Sequence, residues 1–287
     1  MNNQIKQIVE EYTSEKIDRR GFLSRVIALT GTYAAAHLLL EQTGLAQTVV
    51  SDKESKKANV DSNAVEYKNG SVNLSGYLSK PLKKGKYPAI IVIHENRGLN
   101  EHTRGVARRF AEAGYVALAT DALSRSGGTA SFETPEKVRE AFGKLDMKDV
   151  LSDLNASLDY LNSHKSVKKD KLASIGFCWG GVRSFLLATE PNKLKAAVVF
   201  YGTAPTNEQL AKVHAPVLGI YGKTDERITS KVPEIDAEMK RLKKSYEYKI
   251  YDGAGHAFFN DTGDRYNATA ADDAWRRVQG WLTKYLG

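Results

Sequence analysis

A cysteine, an aspartate and a histidine, each placed just past an apolar run and in that chain order, are residue types that acyl-transfer chemistry uses. The chain of 287 residues holds one cysteine, Cys178, set between glycines in Gly176-Phe177-Cys178-Trp179-Gly180-Gly181. A few per cent of a free thiol is already ionised at neutral pH, so Cys178 needs only modest help to act as a nucleophile. Asp225 follows the apolar stretch 217–222, and His256 follows the stretch 246–251. An imidazole that moves the thiol proton and a carboxylate that fixes the imidazole complete such a set. The alternative for a lone thiol in a glycine-rich turn is inert packing, and the two downstream residues weigh against it. A single cysteine also excludes an intramolecular disulfide and a cysteine-rich metal site.

These residues need elements to carry them. Residues 171–175 read as a buried strand and 182–189 as the apolar start of a helix, so Gly-x-Cys-x-Gly falls on a strand-to-helix turn. That is the context of a nucleophile elbow, with cysteine in place of serine. It presents the side chain at a helix N-terminus, where a thiolate is favoured. Further strands are expected at 88–94, 115–120, 196–201, 217–222 and 246–251. Helices are expected at 103–113, from Thr134-Pro135-Glu136 onward, and at 146–162, 234–242 and 270–286. Residues 65–68 and 72–79 alternate around Asn69-Gly70, a hairpin signal. The expected fold is one doubly wound, mostly parallel α/β sheet with an antiparallel N-terminal edge hairpin and helices on both faces. Ligands of such sheets bind beyond the carboxyl ends of the strands, where Glu95, Cys178, Asp225 and His256 all fall. The stripe Trp275, Val278, Trp281, Leu282 and Tyr285 reads as core packing.

From about Tyr67 to the C-terminus the chain resembles the dienelactone hydrolase family of α/β-hydrolases. The resemblance rests on Gly-Phe-Cys-Trp-Gly-Gly, the Asp225 strand end, Gly255-His256-Ala257-Phe258 and His94-Glu95-Asn96-Arg97-Gly98. It implies a carboxylic-ester or lactone hydrolase with Cys178, His256 and Asp225 as a triad, a thioester intermediate and no cofactor. It further implies that Glu95 deprotonates the cysteine when substrate arrives, and that Arg125 meets a substrate carboxylate. The family's second carboxylate-binding arginine lies four residues after the histidine, where this chain has Asn260. A neutral amide does not replace a bidentate guanidinium, so weak discrimination in favour of an anionic lactone is expected. By position, the backbone amides of Trp179 and Asn96 form the oxyanion hole. Arg97 and His94 join Arg125 and Asn260 as residues expected to line the substrate pocket.

The formal charge of +8 carries no nucleic-acid signature, because its lysines and arginines are scattered without interleaved aromatics. No metal-binding histidine pair, phosphate loop or dinucleotide fingerprint occurs, so no metal or nucleotide is expected. A small-molecule ester or lactone is the expected partner, and no oligomeric state follows from the sequence. Residues 1–50 form a separate extension holding five basic and five acidic groups. Arg19-Arg20 before the apolar run 26–40 reads as a twin-arginine export signal, which would place the protein in the periplasm or outside the cell. A helical extension on a cytoplasmic protein is the alternative. The run is too short for a stable membrane span. Residues 51–63 read as a polar linker, and 64–287 as the catalytic domain. The competing functions are hydrolysis of neutral esters, thioesters or haloacids, and a non-catalytic homologue that binds a partner.

Overall fold

The computed structural model describes residues 3–14, 16, 25, 28, 29 and 60–287. The chain divides into two compact units, residues 1–57 and 58–287. In the first, Asn3–Thr13 form a helix, α1, and Arg25 pairs with Glu11. The expected export signal at Arg19-Arg20 and residues 51–59 of the expected linker lie outside the described residues.

The second unit is built on eight strands. They are β1 (Val60–Asn69), β2 (Val72–Pro81), β3 (Tyr87–Ile93), β4 (Val116–Thr120), β5 (Val167–Phe177), β6 (Leu194–Phe200), β7 (Val217–Gly222) and β8 (Tyr246–Tyr251). Their order is β1-β2-β4-β3-β5-β6-β7-β8. The β1-β2 and β2-β4 pairs are antiparallel and the remaining pairs are parallel. The hairpin loop is Gly70-Ser71, one residue later than the Asn-Gly pair alone predicts, because Asn69 still pairs with Val72. Gly70, at φ +59°, supplies the positive φ that the first position of a two-residue loop demands.

The first strand begins at Val60, so residues 60–63 are paired sheet and not the linker that their polarity suggested. Val60 is buried, Asp61 pairs with Lys80, and Ser62 shares a 2.9 Å hydrogen bond with Ser79. Backbone pairing to β2 carries this edge, and such pairing leaves little trace in the side chains.

Ala89 to Ile93 of β3 are fully buried, as a central strand covered on both faces requires. Alternate residues serve opposite cores. Ile90 and Val92 belong to the same core as Val106 and Phe110 of α2 (Glu101–Glu112) and Val278, Trp281 and Leu282 of α9 (Ala268–Leu286). Ile91 and Ile93 belong to the opposite core, with Val150, Leu154 and Leu158 of α4 (Met147–Ser163) and Ile235 and Met239 of α8 (Val232–Arg241). Between these helices lie α3 (Pro135–Gly143), α5 (Trp179–Leu187) and two single turns, α6 (Asn207–Leu210) and α7 (Glu226–Thr229). Helix starts follow the capping chemistry of the sequence: Asn100, Thr134, Asp146 and Asn267 each accept a hydrogen bond from a backbone amide of the first turn. Among the described residues no helix is long and apolar enough to cross a membrane.

Candidate active site

The chain leaves β3 for β4 on one side and returns to β5 on the other, so the strand order reverses at β3 and β5. A crevice at such a switch point is where open α/β sheets hold ligands. Glu95 lies just past β3, and Cys178 is the first residue past β5.

Cys178 has φ +54° and ψ −111°, a left-handed conformation that costs a non-glycine residue about 1–3 kcal/mol. The surroundings hold it there. Its N–H donates to the Phe200 carbonyl at 3.0 Å. Gly176 and Gly180 let three backbones close in around it: a Cβ on Gly176 would stand 1.9 Å from the Gly180 oxygen, and one on Gly180 would stand 2.3 Å from the Ile93 oxygen.

His256, on the loop after β8, places Nε2 3.0 Å from the Cys178 sulfur. Its Nδ1 lies 2.5 Å from Asp225 Oδ2, past the end of β7. The neutral ring that accepts the thiol proton at Nε2 therefore carries its own proton on Nδ1, donated to Asp225. Burial pushes the Cys178 thiol up, and the Glu95 charge pushes it further, against the Trp179 amide and Arg227. Both effects disfavour the thiolate, while His256 Nε2 stands within hydrogen-bond distance of the sulfur.

Glu95 is only 6% exposed, yet both its oxygens are engaged. Tyr201 Oη donates to Oε1 at 3.3 Å, and Asn260 Nδ2 donates to Oε2 at 3.1 Å. The orientation of the Asn260 amide is fixed from its other end, where Oδ1 accepts from the amide and the hydroxyl of Thr262 at 3.0 and 2.7 Å. Burial and the Glu95 charge push the Tyr201 phenol well up, so it remains a donor. Asn260 is therefore a partner of Glu95. It stands where the resemblance implied a substrate-binding arginine, and one of its two amide hydrogens is directed at Glu95.

His94 is fully buried. Its Nε2 accepts from the Ala122 amide at 3.1 Å, which puts the proton on Nδ1, and Nδ1 donates to the Glu95 carbonyl at 2.7 Å. Burial depresses its pKa against the pull of the Asp121 carboxylate. Its ring stacks 5.8 Å from that of Trp179. His94 thus shapes the site from behind, fixing the backbone that carries Glu95.

Arg125, expected to meet a substrate carboxylate, is paired within the protein. Its Nε and Nη2 donate to the two carboxylate oxygens of Asp153 at 2.8 and 2.9 Å, and Nη1 lies 3.2 Å from Asp149. Asp149 and Asp153 stand one turn apart on α4, and together they take up the guanidinium that was expected to meet substrate. Asn96 and Arg97 are exposed in the turn that closes with Gly98 N–H on the Glu95 carbonyl. Sequence reasoning missed Tyr201 as a partner of Glu95. Its signal is its position, the first residue past β6 and therefore at the same sheet end as the other four. Among the described residues no group of three or more histidine, cysteine, aspartate or glutamate side chains is arranged to hold a metal ion.

An eight-stranded, mostly parallel sheet with a nucleophile elbow after β5 defines an α/β-hydrolase. The chain belongs to the dienelactone hydrolase family, whose model matches residues 74–286, and is a hydrolase of carboxylic esters or lactones. A Methylorubrum extorquens protein provisionally named carboxymethylenebutenolidase is 32% identical over 224 residues, which cover 74% of this chain and 77% of that protein. A Bradyrhizobium protein provisionally named 2-oxo-3-(5-oxofuran-2-ylidene)propanoate lactonase is 36% identical over 230 residues, covering 76% and 92%. The crystal structure of a provisionally assigned dienelactone hydrolase from Klebsiella pneumoniae superposes with a TM-score of 0.71 at 29% identity, covering 78% of this chain and all of that one.

Proposed function

We propose that the chain cleaves an ester or lactone by thioester formation on Cys178, with His256 and Asp225 completing a catalytic triad. The observation that carries this reading is the continuous line from Asp225 through His256 to the sulfur, with contacts of 2.5 and 3.0 Å at a strained elbow. As the sulfur bonds to the substrate carbonyl carbon, its proton passes to His256 Nε2 and the carbonyl π pair moves onto oxygen. The amides of Trp179 and Asn96 are assigned as donors to that oxyanion; loss of one such donor typically costs 10²–10³ in turnover. Collapse breaks the C–O bond, and the leaving alkoxide takes the proton from His256. Water then gives a proton to His256 and attacks the thioester. The carboxylic acid departs, and the released sulfur recovers its proton. The Glu95 carboxylate, close enough to raise the thiol pKa, is assigned as a second proton acceptor once substrate loosens it from Tyr201 and Asn260.

The test is release of nitrophenol from a short-chain p-nitrophenyl ester before and after alkylation of the only thiol. An initial burst equal to the enzyme concentration, abolished by one equivalent of iodoacetamide, is the expected result. Full activity after complete alkylation would overturn the nucleophile assignment. Arg19-Arg20 ahead of an apolar run supports export of the protein, and replacing both with lysine should then retain it in the cytoplasm.

A further inference from the structure

The turn that follows β3 and the loop that follows β4 are tied together by one threonine. Gly98 closes the turn of Glu95, Asn96 and Arg97 at φ +74°, and a Cβ on it would stand 2.3 Å from Thr129 Oγ1. Thr129 belongs to the loop after β4, and its hydroxyl accepts from the Leu99 amide at 3.0 Å. The same hydroxyl donates to Asp121 Oδ1 at 2.7 Å, while the Thr129 amide donates to Oδ2 at 2.7 Å and the Leu123 amide to Oδ1 at 3.0 Å. Asp121, buried at the end of β4, thus folds residues 121–129 around its carboxylate and orients the hydroxyl that reaches across. A second tie meets the other end of the turn, where the Ala122 amide donates to His94 Nε2. Between the two ties Asn96 and Arg97 are exposed, and the Asn96 N–H donates to no backbone acceptor among the described residues.

We propose that Asp121 and Thr129 are positioning residues for the reaction: acting through the Leu99 amide, they hold the 95–98 turn so that the Asn96 N–H stays aimed at the oxyanion. This role rests on the proposed hydrolase reading, which assigns Asn96 as a donor. A donor stabilises developing charge most when it is in place before the charge appears, and an exposed turn with an unengaged amide is held in place by its ends. The hydroxyl of Thr129 suits that task. Its bond to a carboxylate is charge-assisted and therefore strong, and donating there polarises the oxygen as an acceptor for Leu99. Neither side chain touches the substrate in this reading, so ground-state binding is left alone and only stabilisation made in the transition state depends on them.

Two readouts on the full chain test it. Thr129→Val keeps the shape of the side chain and removes the hydroxyl, whereas Thr129→Ser keeps the hydroxyl. On p-nitrophenyl butyrate the valine variant should lose about 10- to 100-fold in kcat, the cost of a misplaced donor, with KM within about twofold of the parent, and the serine variant should restore most of the rate. The second readout needs no turnover. Butyraldehyde takes the Cys178 sulfur onto its carbonyl carbon, the thiol proton passes to His256, and the new oxyanion stands where that of the ester reaction would. The aldehyde should therefore protect the thiol from iodoacetamide, and Thr129→Val should raise the concentration needed by about the factor lost in kcat. Alkylation without aldehyde, a displacement at saturated carbon that forms no oxyanion, should keep the parent rate. If the parent leaves the ester intact while aldehyde protection still depends on Thr129, the hydrolase reading fails and the positioning role stands. If the ester is cleaved and Thr129→Val matches the parent in kcat and in protection, the positioning role is overturned. A fall in kcat matched by slower alkylation, or a rise in KM alone, would overturn it equally, as the mark of a generally disturbed site. Should Thr129→Val fail to fold, Asp121→Asn is measured in the same way, since it keeps the shape of the carboxylate and replaces one of its acceptors by an amide donor.

Discussion

The two flanks of Cys178 are built by different means. On one side, His256 and Asp225 meet the sulfur in a line, each delivered by a turn at the end of a parallel strand. On the other, Glu95 is held back by side chains 106 and 165 residues away in the chain, Tyr201 and Asn260. The first flank is fully hydrogen-bonded at rest. The second is a carboxylate kept in place by neutral donors, and its charge discourages ionisation of the thiol. On the proposed mechanism, His256 would be a base ready beside a thiol that the Glu95 charge keeps protonated, and substrate would need only to disturb Glu95.

That contrast is open to experiment, and the largest effect belongs to the assembled flank. Asp225→Asn keeps the shape but favours the wrong imidazole tautomer, and in the serine-enzyme precedent such a change costs about 10⁴ in kcat. A loss under tenfold would break the contrast, because His256 would then not depend on its carboxylate. On the restrained flank, Glu95→Gln should move two measurements in opposite directions. Ester turnover should fall about 10²-fold if the carboxylate serves as a base, while iodoacetamide alkylation of the resting thiol at neutral pH should become faster. Loss of the Glu95 charge removes one of the three causes that hold the thiol up, beside burial and the Asp225 charge. If alkylation slows as well, Glu95 is already activating the sulfur at rest, and the two flanks do the same work.

The smallest effect concerns His94, which supports the Glu95 backbone in its neutral form. Its folded pKa is depressed below the ordinary value of 6.5, so below pH 6.5 the unfolded chain binds a proton that the folded one refuses. Stability from this group is complete above pH 6.5 and falls as the pH drops towards the folded pKa, by at most about 1.4 kcal/mol per pH unit. Denaturant titrations between pH 7 and 5 should show that slope, and it should flatten in His94→Gln. An equal slope in both proteins would assign the acid sensitivity to other groups.

Much of this molecule can be read from its sequence, for reasons that also mark where the reading stops. Central strands such as β3 and β7 are buried on both faces and appear as unbroken apolar runs, so the sheet was legible. Cys178, Asp225 and His256 were legible because strand-end turns have their own glycine chemistry. The start of β1 was not, since residues 60–63 mix polar side chains with ladder bonds made by backbone alone. The engagement of Arg125 by α4 and of Asn260 by Glu95 was equally hidden. Both are side-chain choices between competing partners, decided by how the elements pack. Nothing in local spacing encodes them.

The backbone crossing at Gly176 and Gly180 also bears on how this protein can change over generations. Three segments, β3, β5 and α5, touch there with no room for a methyl group, so the location of residue 178 cannot drift by small steps. A substitution at Gly176 must push β5 and α5 apart, and one at Gly180 must push α5 from the end of β3. What remains free to change without moving the backbone is the identity of the side chain at 178, one base change from serine. New reactivity in descendants of this chain should therefore arise by exchanging the reacting atom or its surroundings at a fixed address.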